Sequence, residues 1–130
     1  MEGKVRNPDG PADPFESLER SVLDHLFVLQ PGYAVFLGLH EYDGRLPDYS
    51  ASGTESWAAG ADRLLGRLRA VSPSEGARGR AIDGQLLELL LESSLFDLRE
   101  SRDLERNPMA YLGAVSMTAY MVRDYAPAPD

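Results

Sequence analysis

The chain has 130 residues, contains no cysteine, and carries 13 basic against 21 acidic side chains, for a formal net charge of −8. A chain of this length is expected to form one domain that buries about two-thirds of its unfolded surface, and its negative charge argues against nucleic acid and anionic membrane surfaces as partners. The lack of cysteine excludes disulfides and thiolate chemistry and is compatible with a reducing compartment, and we expect a cytoplasmic protein.

Residues 1–13 predict a disordered arm, because prolines and glycines alternate with mixed charges and no periodic apolar pattern appears. The arm lacks the apolar run of a signal peptide. The most apolar stretch, residues 86–91, is interrupted by Glu88 and falls far short of the roughly 18 apolar residues of a spanning helix. We therefore expect one helical domain over residues 14–130 and no membrane association.

A first helix is predicted after Asp13, a suitable N-cap that is followed by Pro14 at the first helical position. Its buried face is predicted from helical spacing to consist of Phe15, Leu18, Val22, Leu26 and Leu29. The sequence Gln30-Pro31-Gly32 ends this helix, because proline disfavours α geometry in the residue before it. A short helical turn is predicted at residues 33–37, stopped by Gly38 in left-handed geometry.

A loop is predicted over residues 39–53, because Asp43-Gly44 and Leu46-Pro47-Asp48 are typical turn sequences. Ser52 and Glu55 then have the spacing of a capping box that begins a second long helix. The amphipathic stripe of that helix is predicted to be Trp57, Ala61, Leu64, Leu65, Leu68 and Val71.

A third long helix is predicted over about residues 82–105, and it is apolar over a wide arc. One side carries Ile82, Leu86, Leu89, Leu90 and Phe96. The adjoining side carries Leu87, Leu91, Leu95 and Leu98. Such an arc is typical of a central helix that neighbours pack on more than one side.

A last helix is predicted from Asn107, an N-cap followed by Pro108 at the first helical position. Its buried stripe is predicted to be Leu112, Val115, Ala119 and Val122. No alternating strand pattern is present. The fold class is therefore predicted to be all-α, with four main helices plus one short helix in an irregular bundle.

The most suggestive polar cluster is His40, Glu41 and Asp43, because histidine and carboxylate on one turn can act as zinc ligands or as an acid/base pair. Zinc needs at least three protein ligands, and the only other histidine, His25, lies in the first helix without a partner pattern. We therefore expect His40 and Asp43 to bond the loop backbone. No catalytic, cofactor-binding or metal-binding residue is predicted in the chain.

Two other groups of side chains have structural interpretations. The acids Glu88, Glu92 and Glu100 lie at helical spacing, but no Glu-x-x-His pair accompanies them, so they predict a solvated stripe rather than a carboxylate metal site. The six tyrosines and Trp57 are predicted to serve mainly as packing.

Five short segments, taken in their order along the chain, resemble those of a known protein family. The first two are Pro31-Gly-Tyr-Ala and Leu37-Gly-Leu-His-Glu-Tyr-Asp-Gly-Arg-Leu-Pro-Asp-Tyr-Ser50. The other three are Ile82-Asp-Gly-Gln-Leu-Leu, Asn107-Pro-Met-Ala-Tyr-Leu and Arg123-Asp-Tyr-Ala-Pro127. Together they resemble the amino-terminal part of the bacterial family named domain of unknown function eight-eight-five, helical proteins similar to zinc carboxypeptidases and other gluzincins. The resemblance runs from about Phe15 to the last residue, and its specific part is Gly-x-His-x-x-Asp with the following Asp-x-Ser.

The resemblance marks eight signature residues, for which we expect structural roles: Gly38, His40, Asp43, Asp48, Ser50, Asn107, Pro108 and Tyr111. Family members place a zinc motif of the His-Glu-x-x-His type far downstream, and this chain lacks such a motif. Zinc is therefore expected only in a full-length member, and no cofactor is expected in this chain.

The resemblance implies a function as well. The chain would be the amino-terminal lobe of a larger helical fold, a metallopeptidase-like hydrolase, covering one side of a substrate cleft without being catalytic alone. The expected partner is the remainder of the parent polypeptide, or a second copy through an apolar patch on the third long helix or at residues 117–125. The alternative is a free-standing helical interaction module without enzymatic activity.

Overall fold

The computed structural model describes residues 14–71, 78–115 and 118–121. In chain order the elements are α1 (Pro14–Leu29), α2 (Pro31–Phe36), a 3-10 turn (His40–Tyr42), α3 (Ala51–Ala70), α4 (Arg78–Phe96), a π-helical segment (Asp97–Ser101), α5 (Asp103–Arg106), α6 (Ala110–Ala114) and α7 (Thr118–Met121). No β-strand occurs in these ranges, so the prediction of an all-α irregular bundle is confirmed. The predicted arm, residues 1–13, lies outside the described residues.

The main core lies between α1, α3 and α4, which pack against one another pairwise. Leu18, Val22, Ala61 and Leu91 are each 1% exposed or less. The other buried members of this core are Trp57, Ala58, Leu65, Leu68, Leu87 and Leu95. Burial of a large aliphatic side chain is worth about 1.5–3 kcal/mol, so each of the buried leucines and Val22 stabilises the contact of these three helices.

The end of α2 follows the prediction. Gly38 has a φ of +91°, and its N–H donates to the carbonyl of Val35 at 3.0 Å. The N–H of Leu39 reaches back to the carbonyl of Ala34, also at 3.0 Å. These two bonds form a Schellman motif, which turns the chain away from α2 and lays Leu39 beside Ala34 in a second, smaller core.

The start of α3 differs from the prediction. Ser50 is the N-cap, and its Oγ accepts a hydrogen bond from the N–H of Gly53 at 3.0 Å. The predicted capping box from Ser52 to Glu55 is therefore wrong, because Ser52 already lies inside the first helical turn. The physical reason is Asp48, whose Oδ1 accepts the N–H of Ser50 at 2.9 Å and helps to hold that residue in extended geometry before the helix.

α4 is not the central helix that the wide apolar arc predicts. Leu87, Leu91 and Leu95 are buried in the core with α1 and α3. The other apolar side is about half exposed, and it consists of Ile82, Leu86, Leu89, Leu90 and Phe96. In the described part of the chain, the long helices that contact α4 are α1 and α3, and both pack on its buried side.

The carboxyl-terminal third is built from short helices. Regular α geometry in α4 ends at Phe96, and after the π-helical segment Arg102 takes left-handed geometry with φ 53° and ψ 45°. The predicted last helix corresponds to α6 and α7. Leu112 and Val115 are 54% and 61% exposed and so do not form the expected buried stripe. The side chain of Ala119 and the whole of Val122 lie outside the described residues.

Candidate functional site

The corner between α2 and α3 contains five of the eight signature residues marked by the resemblance, Gly38, His40, Asp43, Asp48 and Ser50. After Gly38, His40 begins the 3-10 turn, and its Nδ1 lies 3.2 Å from Oδ2 of Asp43. The backbone N–H of Asp43 also donates to the carbonyl of His40 at 3.0 Å. The His40 side chain is 57% exposed and that of Asp43 is 30% exposed. The pair therefore braces a single surface turn.

Tyr42, one of the six tyrosines predicted to serve mainly as packing, anchors this corner to α1. Its side chain is buried, its hydroxyl donates to Oδ1 of Asp24 at 3.3 Å, and its ring meets Phe27 edge-on at 5.5 Å. The guanidinium of Arg45 lies 5.0 Å from the ring centroid, a cation–π contact. Burial, and then the nearby charge of Asp24, raise the pKa of Tyr42 above its ordinary value of 10.0. The phenol therefore stays neutral and serves as a hydrogen-bond donor.

Asp48 and Ser50 form the entrance to α3. The bonds that Asp48 accepts from the hydroxyl and backbone N–H of Ser50 lower the pKa of this carboxyl below 3.8. The backbone of Gly53 passes so close that a Cβ there would lie 2.4 Å from Cγ of Asp48. These three residues therefore interlock at the helix start, and the carboxylate of Asp48 is committed to that structure.

The third group of signature residues lies before α6. Oδ1 of Asn107 accepts the N–H of Met109 at 3.0 Å, with Pro108 between them, which is the geometry of an N-cap, although regular α6 begins only at Ala110. The hydroxyl of Tyr111 donates to the carbonyl of Leu104 at 2.6 Å.

The Tyr111 ring also meets Tyr49 edge-on at 5.6 Å, and the Tyr49 hydroxyl donates to the carbonyl of Leu29 at 3.4 Å. Burial raises the pKa of Tyr49 above 10.0, and the neighbouring Tyr111 adds to the shift. Because Tyr49 directly precedes Ser50, this contact brings the carboxyl-terminal signature residues beside the cap of α3.

The donor set does not fit a zinc site. His40 and Asp43 supply two donors on one turn, whereas zinc in proteins takes three or four protein ligands at fixed geometry. No group of three histidine or carboxylate side chains that could hold a metal ion occurs within residues 14–71, 78–115 and 118–121.

His25 has a structural role that its sequence context did not predict. Its ring stacks on Trp57 with centroids 4.8 Å apart, and its Nε2 lies 2.8 Å from the carbonyl oxygen of Trp57. The indole N–H of Trp57 in turn donates to the carbonyl oxygen of His25 at 2.7 Å. A helical spacing pattern cannot reveal this bond, because the partners are 32 residues apart and on different helices.

A groove of about 700 Å³ lies along α1 and α3 beside this pair. Arg63 and Arg67 line it from α3, together with Ser52, Ser56 and Asp48. A second groove of about 770 Å³, on the other side of α1, has a mixed lining that includes Glu19, Arg20, Asp24 and Tyr42. His25 also lines the first groove, where its Nε2 lies against the carbonyl oxygen of Trp57 at 2.8 Å.

The acids of α4 form salt bridges with α3. Arg69 of α3 bonds Oε1 of Glu88 through Nε at 2.5 Å and Oε1 of Glu92 through an Nη. All three side chains are at least one-third exposed. This triad tethers α3 to α4, which is more than the solvated stripe predicted for these acids.

Within the described ranges, no helix combines the length and apolar character required to cross a membrane.

Comparisons with protein-family models, with curated proteins and with solved structures found no match to this chain.

Proposed function

We propose that this chain is the amino-terminal helical lobe of a metallopeptidase-like hydrolase and that it is not catalytic by itself. The observation that carries the proposal is the exposed apolar side of α4, where Ile82, Leu86, Leu89 and Phe96 are each 52–58% exposed. Neighbouring apolar side chains exposed to this extent are typical of a surface that another polypeptide covers. The remainder of the parent polypeptide is the expected cover.

The roles of the signature residues support this proposal. Gly38 ends α2, Asp48 and Ser50 begin α3, and Asn107 begins the turn before α6. Each of these residues fixes the end of a helix or a turn, and none of them is assigned a catalytic role. Such a set is what a lobe needs when it shapes a cleft whose reactive groups are supplied by another part of the protein.

Zinc belongs to this proposal only through the full-length protein, where it would polarise the scissile carbonyl and activate water from downstream ligands. The residues of this chain contribute shape and packing. A cytoplasmic location is also part of the proposal, because a chain without cysteine is suited to a reducing compartment.

The genomic reading frame on the carboxyl-terminal side of Asp130 provides the first test. We expect a His-Glu-x-x-His-type motif there, either in frame or after a frame shift. We also expect co-expression of this chain with the encoded downstream region to yield a complex that binds zinc and hydrolyses peptides. A downstream region without the motif would refute the proposal.

The alternative function is a free-standing helical interaction module, and one observation favours it. α1, α3 and α4 close a core on their inner faces, with Leu18, Val22 and Leu91 fully buried, so the fold buries a core without a further chain. A purified chain that unfolds cooperatively as a clean monomer and binds no apolar fluorescent probe would favour this alternative over the lobe.

A further inference from the structure

The exposed face of α4 has the spacing of a coiled-coil seam. Ile82, Leu86, Leu89, Ser93 and Phe96 follow one another at intervals of four, three, four and three residues, which is a heptad pattern over two repeats. All five are exposed, while Leu87, Leu91 and Leu95 occupy the opposite, buried face. This outer seam is therefore a surface that can receive one further helix.

Three of the five positions that flank the outer seam are acidic, and the other two are Gln85 and Leu90. Asp83 and Asp97 lie along one edge and Glu92 along the other, and all three are exposed. Arg69 offsets part of this charge, but it is one cation shared between Glu88 and Glu92. In coiled coils the charges at these flanking positions determine partner choice and orientation.

A second copy of the chain is a poor partner for the outer seam. In a parallel pair, Glu92 would face Asp97 of the other copy, five residues further along. In an antiparallel pair centred on Leu90, Asp83 would face Asp97 of the other copy. Both arrangements oppose like charges, and the net charge of −8 adds a general repulsion between copies.

We infer that the outer seam of α4 binds an amphipathic helix whose apolar stripe is flanked by lysine or arginine, supplied by the remainder of the parent polypeptide; this inference rests on the proposed function. From Ile82 to Phe96 the seam is about 21 Å long at the rise of an α-helix, so the partner needs about four helical turns. Between Leu89 and Phe96, the small side chain of Ser93 leaves room in the seam for a large apolar side chain of the partner. Basic flanks would pair with Asp83, Asp97 and Glu92.

The test uses the full chain and two synthetic helical peptides of about 18 residues, a length that spans the seam. Both peptides carry the same leucine stripe, but one has lysine and the other glutamate at the flanking positions. By fluorescence anisotropy we expect the lysine peptide to bind at least about tenfold more tightly, with an advantage that shrinks as salt is added.

Two sets of variants locate the site. Leu89→Asp should remove binding, whereas Phe36→Asp, at a 72% exposed position on α2, should leave it unchanged. The double change Asp83→Lys and Asp97→Lys should shift the preference towards the glutamate peptide. Circular dichroism establishes that each variant is folded, which is expected because the substituted side chains are exposed.

The remaining outcomes distinguish a failure of this inference from a failure of the proposed function. Equal binding of both peptides, binding that survives Leu89→Asp, or no binding of either peptide overturns the inference but leaves the proposed function standing. A dimer that Leu89→Asp dissociates also overturns the inference, because the partner would then be a second copy. Selective binding of the lysine peptide together with a downstream reading frame that lacks the zinc motif refutes the proposed function and leaves the basic-helix surface supported.

Discussion

His25 of α1 and Trp57 of α3 are joined by two reciprocal hydrogen bonds and a stacking contact. The Nε2 of His25 lies 2.8 Å from the carbonyl oxygen of Trp57, and the indole N–H of Trp57 donates to the carbonyl oxygen of His25 at 2.7 Å. The next turn of α3 places Gly60 under the imidazole ring, where a Cβ would lie 2.4 Å from Cε1 of His25. The close approach of α1 and α3 therefore depends on a glycine as well as on the two rings.

Gly60→Ala should lower the free energy of unfolding by about 1–2 kcal/mol, because an added methyl group must displace a ring that stacking and a hydrogen bond hold in place. This is the opposite of the usual effect of alanine in a helix. Gly66→Ala is the matched control, since nothing lies within 4 Å of the added Cβ, and it should raise stability by about 0.4–1 kcal/mol.

Urea denaturation measures both changes. In a His25→Ala background, the cost of Gly60→Ala should nearly disappear. A Gly60→Ala protein that is more stable than the parent would mean that the ring moves freely and that the reciprocal link does not hold α1 against α3.

Ser50→Ala should lower the free energy of unfolding by about 0.5–2 kcal/mol, because it removes the side-chain oxygen that caps α3. Ser52→Ala should change it little, since Ser52 lies inside the helix and its Oγ lies 3.2 Å from the hydroxyl of Ser50 rather than against a backbone N–H of the first turn. Thermal or urea denaturation of the two variants compares the observed cap with the capping box that the sequence predicts. A larger loss at Ser52 than at Ser50 would favour the later helix start.

Asp48 should contribute to the acid sensitivity of the fold. Its pKa is lowered from 3.8 in the folded state by the hydrogen bonds from Ser50, so its stabilising contribution is complete above about pH 4 and is lost as the pH falls through the folded pKa. Asp48→Asn should therefore give a shallower fall of the thermal midpoint below pH 4. The slope will not vanish, because hydrogen bonds from Arg99 also lower the pKa of Asp62. An unchanged slope would show that Asp48 is not linked to folding.

Tyr111→Ala should loosen the carboxyl-terminal segment without unfolding the bundle. The change removes the edge contact with Tyr49 and the hydrogen bond to the carbonyl of Leu104. Amide hydrogen exchange should become faster across residues 103–114 and stay unchanged in the buried turns of α1 and α3. Met109→Ala, at a 64% exposed position in the same segment, is the control and should have little effect.

The purified chain should bind no stoichiometric zinc. His40 and Asp43 are two donors where a structural or catalytic site needs three or four protein ligands, and the sequence has no second histidine at the spacing of a zinc motif. Elemental analysis after dialysis measures this directly. One zinc per chain would show that residues outside the described ranges complete a site.

Local sequence correctly predicts the buried face of α1 and the residue at which α2 ends. The period of Leu18 and Val22 identifies the buried face of α1, and Gly38 ends α2 because glycine tolerates its positive φ without strain. The sequence predicts the start of α3 two residues late, because the Ser52-x-x-Glu55 spacing matches a capping box. The bonds of Asp48 and Ser50 that set the true start depend on how the preceding loop turns.

Composition and residue spacing are enough to predict a helical, acidic chain in which α4 has leucines on two adjoining sides. The burial of Leu87, Leu91 and Leu95 and the exposure of Leu86 and Leu89 depend instead on how the helices pack. Leucines on either side gain the same transfer free energy on burial, so the pattern cannot choose between them. The positions of α1 and α3 make that choice, and the same packing brings His25 against Trp57, 32 residues away.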